Sequence, residues 1–157
     1  MILNPLKYLW PHQLNCDGKS CKEAALQFET YDGKRYSIKG CPQYEFFSST
    51  KDVKAFFGAN RSGKTTAGIF EVCCHATGYY PSWWKGRRWN RPTVGRIFAS
   101  DFTNGVKTIT NKLLEWMPRN SIENTLRNNL KAEVDWEIKH SSCQISRFNI
   151  MSYEQEV

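Results

Sequence analysis

The sequence predicts an α/β fold in which a largely parallel sheet is flanked by helices. Apolar runs of strand length alternate along the chain with patterns of helical period, and a glycine-rich turn joins the first such run to the first long helix. This order is expected when crossover connections join parallel strands. The 157 residues are enough for one core, and we expect the sheet to be incomplete at its carboxy-terminal end if the chain stops at Val157.

The chain divides into two predicted regions. Residues 1–40 form an amino-terminal extension, in which residues 24–40 alternate around Asp32-Gly33, a dipeptide suited to the turn of a β-hairpin. Residues 41–157 form the α/β domain. Its predicted elements, in chain order, are a short helix over 43–48, a buried strand over 53–57, a helix over 64–77 that ends at Gly78, a strand over 93–99, a helix over 106–117, and strands over 131–138 and 144–151.

The composition excludes several classes of protein and locates the charge. With 40% hydrophobic residues the chain is neither disordered nor collagen-like, and no apolar run reaches the roughly 20 residues of a membrane span. Its first residues lack a basic stretch followed by an apolar one, so we expect a protein that is neither membrane-bound nor secreted. Residues 51–100 hold 9 basic and 2 acidic side chains, which accounts for the whole net charge of +7. A local basic excess favours a polyanion, nucleotide or nucleic acid as ligand.

The six cysteines are expected to be reduced, since nothing indicates secretion. Four residues of the types that bind zinc lie in or near the amino-terminal extension, but their spacing is loose for a structural site, and small unliganded thiols are the alternative. Cys73 and Cys74 are adjacent on a predicted helix, so we expect one in the core and one at its rim. His75 and His140 have no partner in the sequence pattern. The zinc candidates are His12, Cys16, Cys21 and Cys41.

A glycine-rich segment fits the pattern G-x-x-x-x-G-K-[ST] at every fixed position, and it lies between a predicted strand and a predicted helix. Glycines let the backbone wrap closely around phosphate oxygens, so that several N–H groups converge on them. Lys64 would place its ammonium between the β- and γ-phosphates of ATP, and Thr65 would offer its hydroxyl to Mg²⁺. The predicted ATP- and Mg²⁺-binding residues are Gly58, Ala59, Asn60, Arg61, Ser62, Gly63, Lys64 and Thr65, with Thr66 next to them.

Residues 56–68, which contain this loop, closely resemble the ATP-binding loop of phage terminase large subunits, the motors that pump DNA into a viral procapsid. Residues 41–48 resemble the adenine-recognition segment of the same family, which implies that the amide of Gln43 reads the edge of the base. Residues 75–88 and 146–155 are also similar, so the resemblance covers residues 41–155. It implies a P-loop NTPase in which Lys64 and Arg61 are catalytic and Arg61 acts on the γ-phosphate. The alternative for Arg61 is a solvent-facing or ion-paired loop side chain.

The resemblance also implies partners and a setting: double-stranded DNA, a terminase small subunit, a portal protein, a homo-oligomeric ring and the cytoplasm of an infected bacterium. In this family an Asp that binds Mg²⁺ and a Glu that polarises water come shortly after a segment like residues 148–155. Asp101 ends an apolar run but is followed by Phe102, not by Glu. We therefore expect the chain to stop before this pair, to lack the family's nuclease domain, and to hydrolyse ATP weakly by itself.

Residues 79–91 form a second unusual segment, with five aromatic and four basic side chains in thirteen positions. Its rings would either stack on a nucleic acid strand, or pack within the protein and leave the cations as a solvated rim.

Two alternatives to the packaging motor remain open at this stage. One is a small P-loop kinase, in which Asp101 is the acid nearest the metal. The other is a non-catalytic DNA-binding module that is gated by nucleotide.

Overall fold

The computed structural model describes residues 27–29, 35–37, 42–58, 63–81, 84–101, 104–127 and 133–153. These residues form three α-helices and two sheets, so the predicted α/β class is confirmed. The elements are β1 (Gln27–Glu29), β2 (Arg35–Ser37), α1 (Pro42–Ser48), α2 (Lys64–Thr77), β3 (Val94–Ala99), α3 (Asn104–Trp116), a 3₁₀ turn (Arg119–Ser121), β4 (Ile122–Arg127), β5 (Glu133–Lys139) and β6 (Ile145–Ser152). Strands β1 and β2 pair in antiparallel fashion as the predicted hairpin requires, and its Asp32-Gly33 turn lies outside the described residues.

The main sheet has four strands in the order β3-β6-β5-β4 and is mostly antiparallel. Only β3 and β6 run parallel, with Val94 opposite Arg147 and Ala99 opposite Ser152. The prediction of a largely parallel sheet is therefore wrong. The connections explain this, because the five residues between β5 and β6 can only make a hairpin, whereas a parallel pair needs a crossover of a dozen residues or more. Strand β4, which the sequence analysis missed, forms a second antiparallel pair with β5.

The predicted strand over residues 53–57 is also wrong, because this segment forms no regular structure. The Lys54 ammonium lies against the Glu71 carboxylate of α2, and the Phe56 ring stacks on Phe46 of α1 at 5.5 Å. These contacts hold the segment against the two helices and not beside a strand. Val53 and Phe57 consequently remain exposed, with 88% and 87% of their surface open to solvent.

Helix α2 has the predicted bounds and lies at the centre of the core. It contacts β5, β6, α3 and α1, and the Phe70 ring lies 5.4 Å from the rings of Trp116 and Phe47. Cys73 and Cys74 are both fully buried free thiols, so the expectation that one lies at the rim is wrong. A helix that several elements cover can bury neighbouring positions alike.

The end of α2 is fixed by Gly78, which adopts a left-handed conformation with φ 68° and donates its N–H to the Cys74 carbonyl. A side chain at this position would overlap the His140 ring and the Ser141 hydroxyl, which belong to the hairpin between β5 and β6. The Ser141 N–H donates to the Thr77 carbonyl at 2.8 Å. The carboxyl end of α2 is thus held against this hairpin.

A buried serine joins α2 to the parallel strand pair. The Ser146 hydroxyl donates to the Ala76 carbonyl at 2.7 Å and accepts from the Thr93 N–H at 3.0 Å. Ser146 and Ala76 are fully buried, so the Ala76 carbonyl has no water as an alternative partner.

We predict that Ser146→Ala lowers the free energy of unfolding by about 1 to 3 kcal/mol, because it leaves the buried Ala76 carbonyl without a hydrogen bond and removes the partner of the Thr93 N–H. Urea denaturation at neutral pH measures this change. Ser141→Ala is the control, since its exposed hydroxyl makes only a 3.5 Å contact with the Gly78 carbonyl and its loss should cost little. Equal midpoints for the two variants would contradict the prediction.

Candidate functional site

The glycine-rich loop ends at Gly63, whose backbone is left-handed with φ 80°. This conformation favours glycine and explains the residue before Lys64 in the motif. The Gly63 carbonyl accepts the first backbone hydrogen bond of α2, from Ala67, at 2.9 Å. Within the described residues, no side chain caps this end of α2, and the first turn of the helix holds no acidic residue. The helix directs the N–H groups of its first turn and the positive end of its dipole toward the loop.

The Lys64 ammonium donates to the Gly58 carbonyl at 2.8 Å. This contact joins the residue that follows the loop to the first residue of the loop. Lys64 is half-buried, whereas Thr65 is exposed and Thr66 is buried. Ala59, Asn60, Arg61 and Ser62 lie outside the described residues, so the role expected for Arg61 stays a prediction.

Gln43 of α1 lies next to this loop, as the resemblance implies. Its amide nitrogen donates to the Gly63 carbonyl at 3.2 Å, twenty residues along the chain. Its amide oxygen is buried and has no hydrogen-bond partner among the described residues. Since an unpaired buried acceptor costs about 1 to 3 kcal/mol, this oxygen marks a place where a ligand donor would be stabilising.

A cavity of about 380 Å³ opens beside Thr65, at the carboxyl ends of the parallel strands. Its other walls are the end of β3 and the start of α3, which include Ser100, Asp101 and Thr108. Asp101 Oδ1 accepts from the N–H groups of Asn104 and Gly105 at 2.6 and 3.1 Å and so caps α3. In the kinase alternative Asp101 is the acid nearest the metal, but in the structure its carboxylate caps the amino end of α3.

The structure does not describe His12, Cys16, Cys21 or Cys41, and the zinc hypothesis stays a prediction. Within the described ranges, no group of three or more His, Cys, Asp or Glu side chains is placed to hold a metal ion.

A chain of polar contacts that the sequence analysis missed runs along α2, away from the loop. Glu71 accepts from Lys54 and lies 3.4 Å from His75 Nε2, and His75 Nδ1 lies 2.9 Å from the Tyr80 hydroxyl. That hydroxyl accepts from the Trp89 N–H at 2.8 Å. Every group is satisfied when Tyr80 donates to Nδ1 and the Nε2–H of His75 donates to Glu71. The i, i+4 spacing of Glu71 and His75 is the only sign of this network in the sequence.

The electrostatics of this network keep Glu71 ionised and Tyr80 protonated. Burial alone would raise the pKa of Glu71, but the hydrogen bonds from His75 and Lys54, with the positive charge of Lys54, hold that pKa below its usual value. Burial raises the pKa of Tyr80 to about 12. Glu71 therefore acts as a permanent acceptor and Tyr80 as a permanent donor at neutral pH.

His140, also expected to lack a partner, is buried in the hairpin turn. Its Nδ1 lies 2.8 Å from the Ser142 hydroxyl and accepts from the Ser142 N–H at 3.1 Å. His140 therefore stabilises the turn between β5 and β6, and it is not part of the glycine-rich loop.

Comparison with family models, with curated proteins and with solved structures finds no match to this chain. Among the helices of the described ranges, none has the length and apolar character that crossing a membrane requires.

We predict that Glu71→Gln lowers the free energy of unfolding at neutral pH by about 2 kcal/mol, because the amide cannot balance the partly buried Lys54 ammonium. It should also flatten the acid limb of the stability curve. A carboxyl whose pKa is depressed by folding contributes stability above its unfolded pKa, and this is lost as the pH falls through the folded value.

Urea denaturation between about pH 7 and about pH 3 measures both effects. Glu115→Gln is the matched control, since Glu115 pairs with Lys112 on the surface of α3. A Glu71→Gln protein whose stability falls with acid as steeply as that of the unmodified chain would refute the assignment.

Proposed function

We propose that this chain is the ATP-binding segment of a viral DNA-packaging motor, a terminase large subunit that couples ATP hydrolysis to the translocation of double-stranded DNA into a procapsid. The observation that carries the proposal is the arrangement of Gly63, Lys64 and Gln43 around one loop. The P-loop fold, the small subunit, the portal, the ring of subunits and the bacterial host cytoplasm belong to the proposal through the resemblance alone.

Several groups of the described residues are suited to binding a nucleoside triphosphate. The N–H groups at the start of α2 and the Lys64 ammonium suit phosphate oxygens, and the buried amide oxygen of Gln43 suits an amino group such as that of adenine. Thr65 is exposed beside the cavity and would hold Mg²⁺ with the nucleotide. When bound, Mg·ATP supplies the phosphoryl group whose transfer to water releases energy. The chain's residues bind and orient it.

The carboxylates of the described residues favour weak hydrolysis over kinase chemistry. Asp101 is the acid on the cavity wall, and it is held by two N–H groups of α3. Its remaining oxygen accepts from the Ser100 hydroxyl at 3.2 Å. An acid held in this way is a poor base for water or for an acceptor hydroxyl, and we expect binding of ATP with slow turnover.

Isothermal titration calorimetry tests the nucleotide site directly. We expect saturable binding of Mg·ATP, and we expect Lys64→Ala to weaken it by about a hundredfold because a charge-assisted contact to phosphate is lost. Lys107→Ala, which removes an exposed cation from α3, is the control and should leave the affinity unchanged. Equal affinities for the Lys64→Ala protein and the unmodified chain would refute the nucleotide site.

The choice of base tests the role of Gln43. We expect ATP to bind more tightly than GTP, because guanine presents a carbonyl oxygen where adenine has an amino donor, and two acceptors repel. Gln43→Ala should reduce this preference to near unity while phosphate-dependent binding persists. A preference that survives Gln43→Ala would show that the base is read elsewhere.

A further inference from the structure

We propose that five cations on two neighbouring loops form a surface that holds the phosphate backbone of duplex DNA by charge, without stacking on its bases. We call it the basic surface. The inference rests on the proposed function for the choice of DNA as the polyanion, and it adds where and how DNA is held. The members of the basic surface are Lys51, Lys85, Arg87, Arg88 and Arg91.

Two aromatic residues of this region, Trp84 and Tyr80, are engaged within the protein. Trp84 is buried, its ring lies 5.3 Å from those of Phe47 and Tyr80, and its indole N–H donates to the Arg87 carbonyl at 3.1 Å. Tyr80 is half-buried and belongs to the network of Glu71 and His75. Rings in these positions have no free face for a base, so base stacking is not the use of Trp84 or Tyr80.

Further contacts hold the backbone of residues 84–88 against the protein. Gly86 packs directly against the Phe47 carbonyl, where any side chain would overlap it. The Arg88 guanidinium donates to the Trp84 carbonyl at 3.0 Å and lies over the Tyr80 ring at 5.5 Å. A surface built on such a frame loses little conformational entropy when it binds a ligand.

Among the described residues, Arg87 is the one cation of the basic surface that pairs with an acid. All five are exposed, and Lys51, Lys85 and Arg91 have no side-chain hydrogen bond or ion pair among the described residues. Residues 51–100 contain two acids. Of these, Glu71 is buried with Lys54 and His75, and Asp52 pairs with Arg87 at 2.6 Å. The surface therefore carries a net charge that an anionic partner would balance.

Contacts of this kind predict a particular binding behaviour. Phosphates are alike along any duplex, so the affinity should not depend on sequence, and it should fall steeply with salt as counterions are released. Each phosphate contact contributes about 0.9 to the slope of log affinity against log salt. Stacking would instead favour single strands and depend on exposed rings.

The experiment is a fluorescence anisotropy titration of a labelled duplex of random sequence with the whole chain, without nucleotide and at several salt concentrations. Omitting nucleotide makes the result independent of the ATP site, so failure of this inference and failure of the proposed function are separate outcomes. We expect Lys51→Gln/Lys85→Gln/Arg91→Gln to weaken binding by about tenfold or more and to reduce the salt slope by up to about 2.7.

A control variant separates the effect of this surface from the effect of net charge, and a single variant repeats the test. Lys107→Gln/Arg119→Gln/Lys139→Gln removes three exposed cations elsewhere and changes the net charge equally, and we expect a clearly smaller loss. Lys85→Gln alone should reduce the slope by about 0.9, which gives the same test from a single exposed side chain if the triple variant unfolds.

Three results would overturn the inference. The first is equal loss of affinity in the two triple variants, which would mean that only net charge matters. The second is a loss of duplex affinity in Tyr79→Leu as large as that in the triple variant, because the exposed ring of Tyr79 would then contribute to binding as much as the cations do. The third is binding to vesicles with anionic headgroups, but not to the duplex, which would assign the surface to a membrane.

Discussion

The carboxylate of Glu71 holds together three segments that are far apart in the sequence. It pairs with Lys54 from the segment before the glycine-rich loop, it lies on the loop's own helix, and through His75 and Tyr80 it reaches the segment that carries the basic surface. Because the Lys54–Glu71 pair is largely buried, removal of either side chain would leave the other charge uncompensated. Residues 53–57, the helix that follows the glycine-rich loop and the segment that carries the cations are thus linked through this one group.

Helix α2 connects two sites of different chemistry. Its amino end begins at the loop, and its carboxyl end is fixed by Gly78 against the hairpin of β5 and β6. Fourteen residues of helix separate the two ends by about 21 Å. Under the proposed function, the phosphates of ATP would bind at the amino end of α2. The segment that leads to the basic surface begins at its carboxyl end, and the hydrogen-bond network of Glu71, His75 and Tyr80 lies between the two.

The features predicted well from the sequence are those that local chemistry determines. Helix α2 has a helical pattern and a glycine stop, and Gly63 occupies a position whose backbone requires it. The failures depend on distant contacts. Residues 53–57 have the pattern of a strand, but Lys54 and Phe56 contact Glu71 and Phe46 instead of a sheet. Strand β4 has no apolar alternation that would predict it, and it is a strand because it pairs with β5. For the same reason the role of Asp101 as a cap, and the engagement of Trp84, follow only from the fold.

The buried thiols of α2 can report on local opening of the helix. Burial raises the pKa of Cys73 and Cys74, so both remain protonated and unreactive toward alkylating reagents, which attack the thiolate. Each becomes accessible only when α2 separates from its neighbours. The rate at which these two sulfurs are alkylated therefore reports how often this part of α2 opens under native conditions.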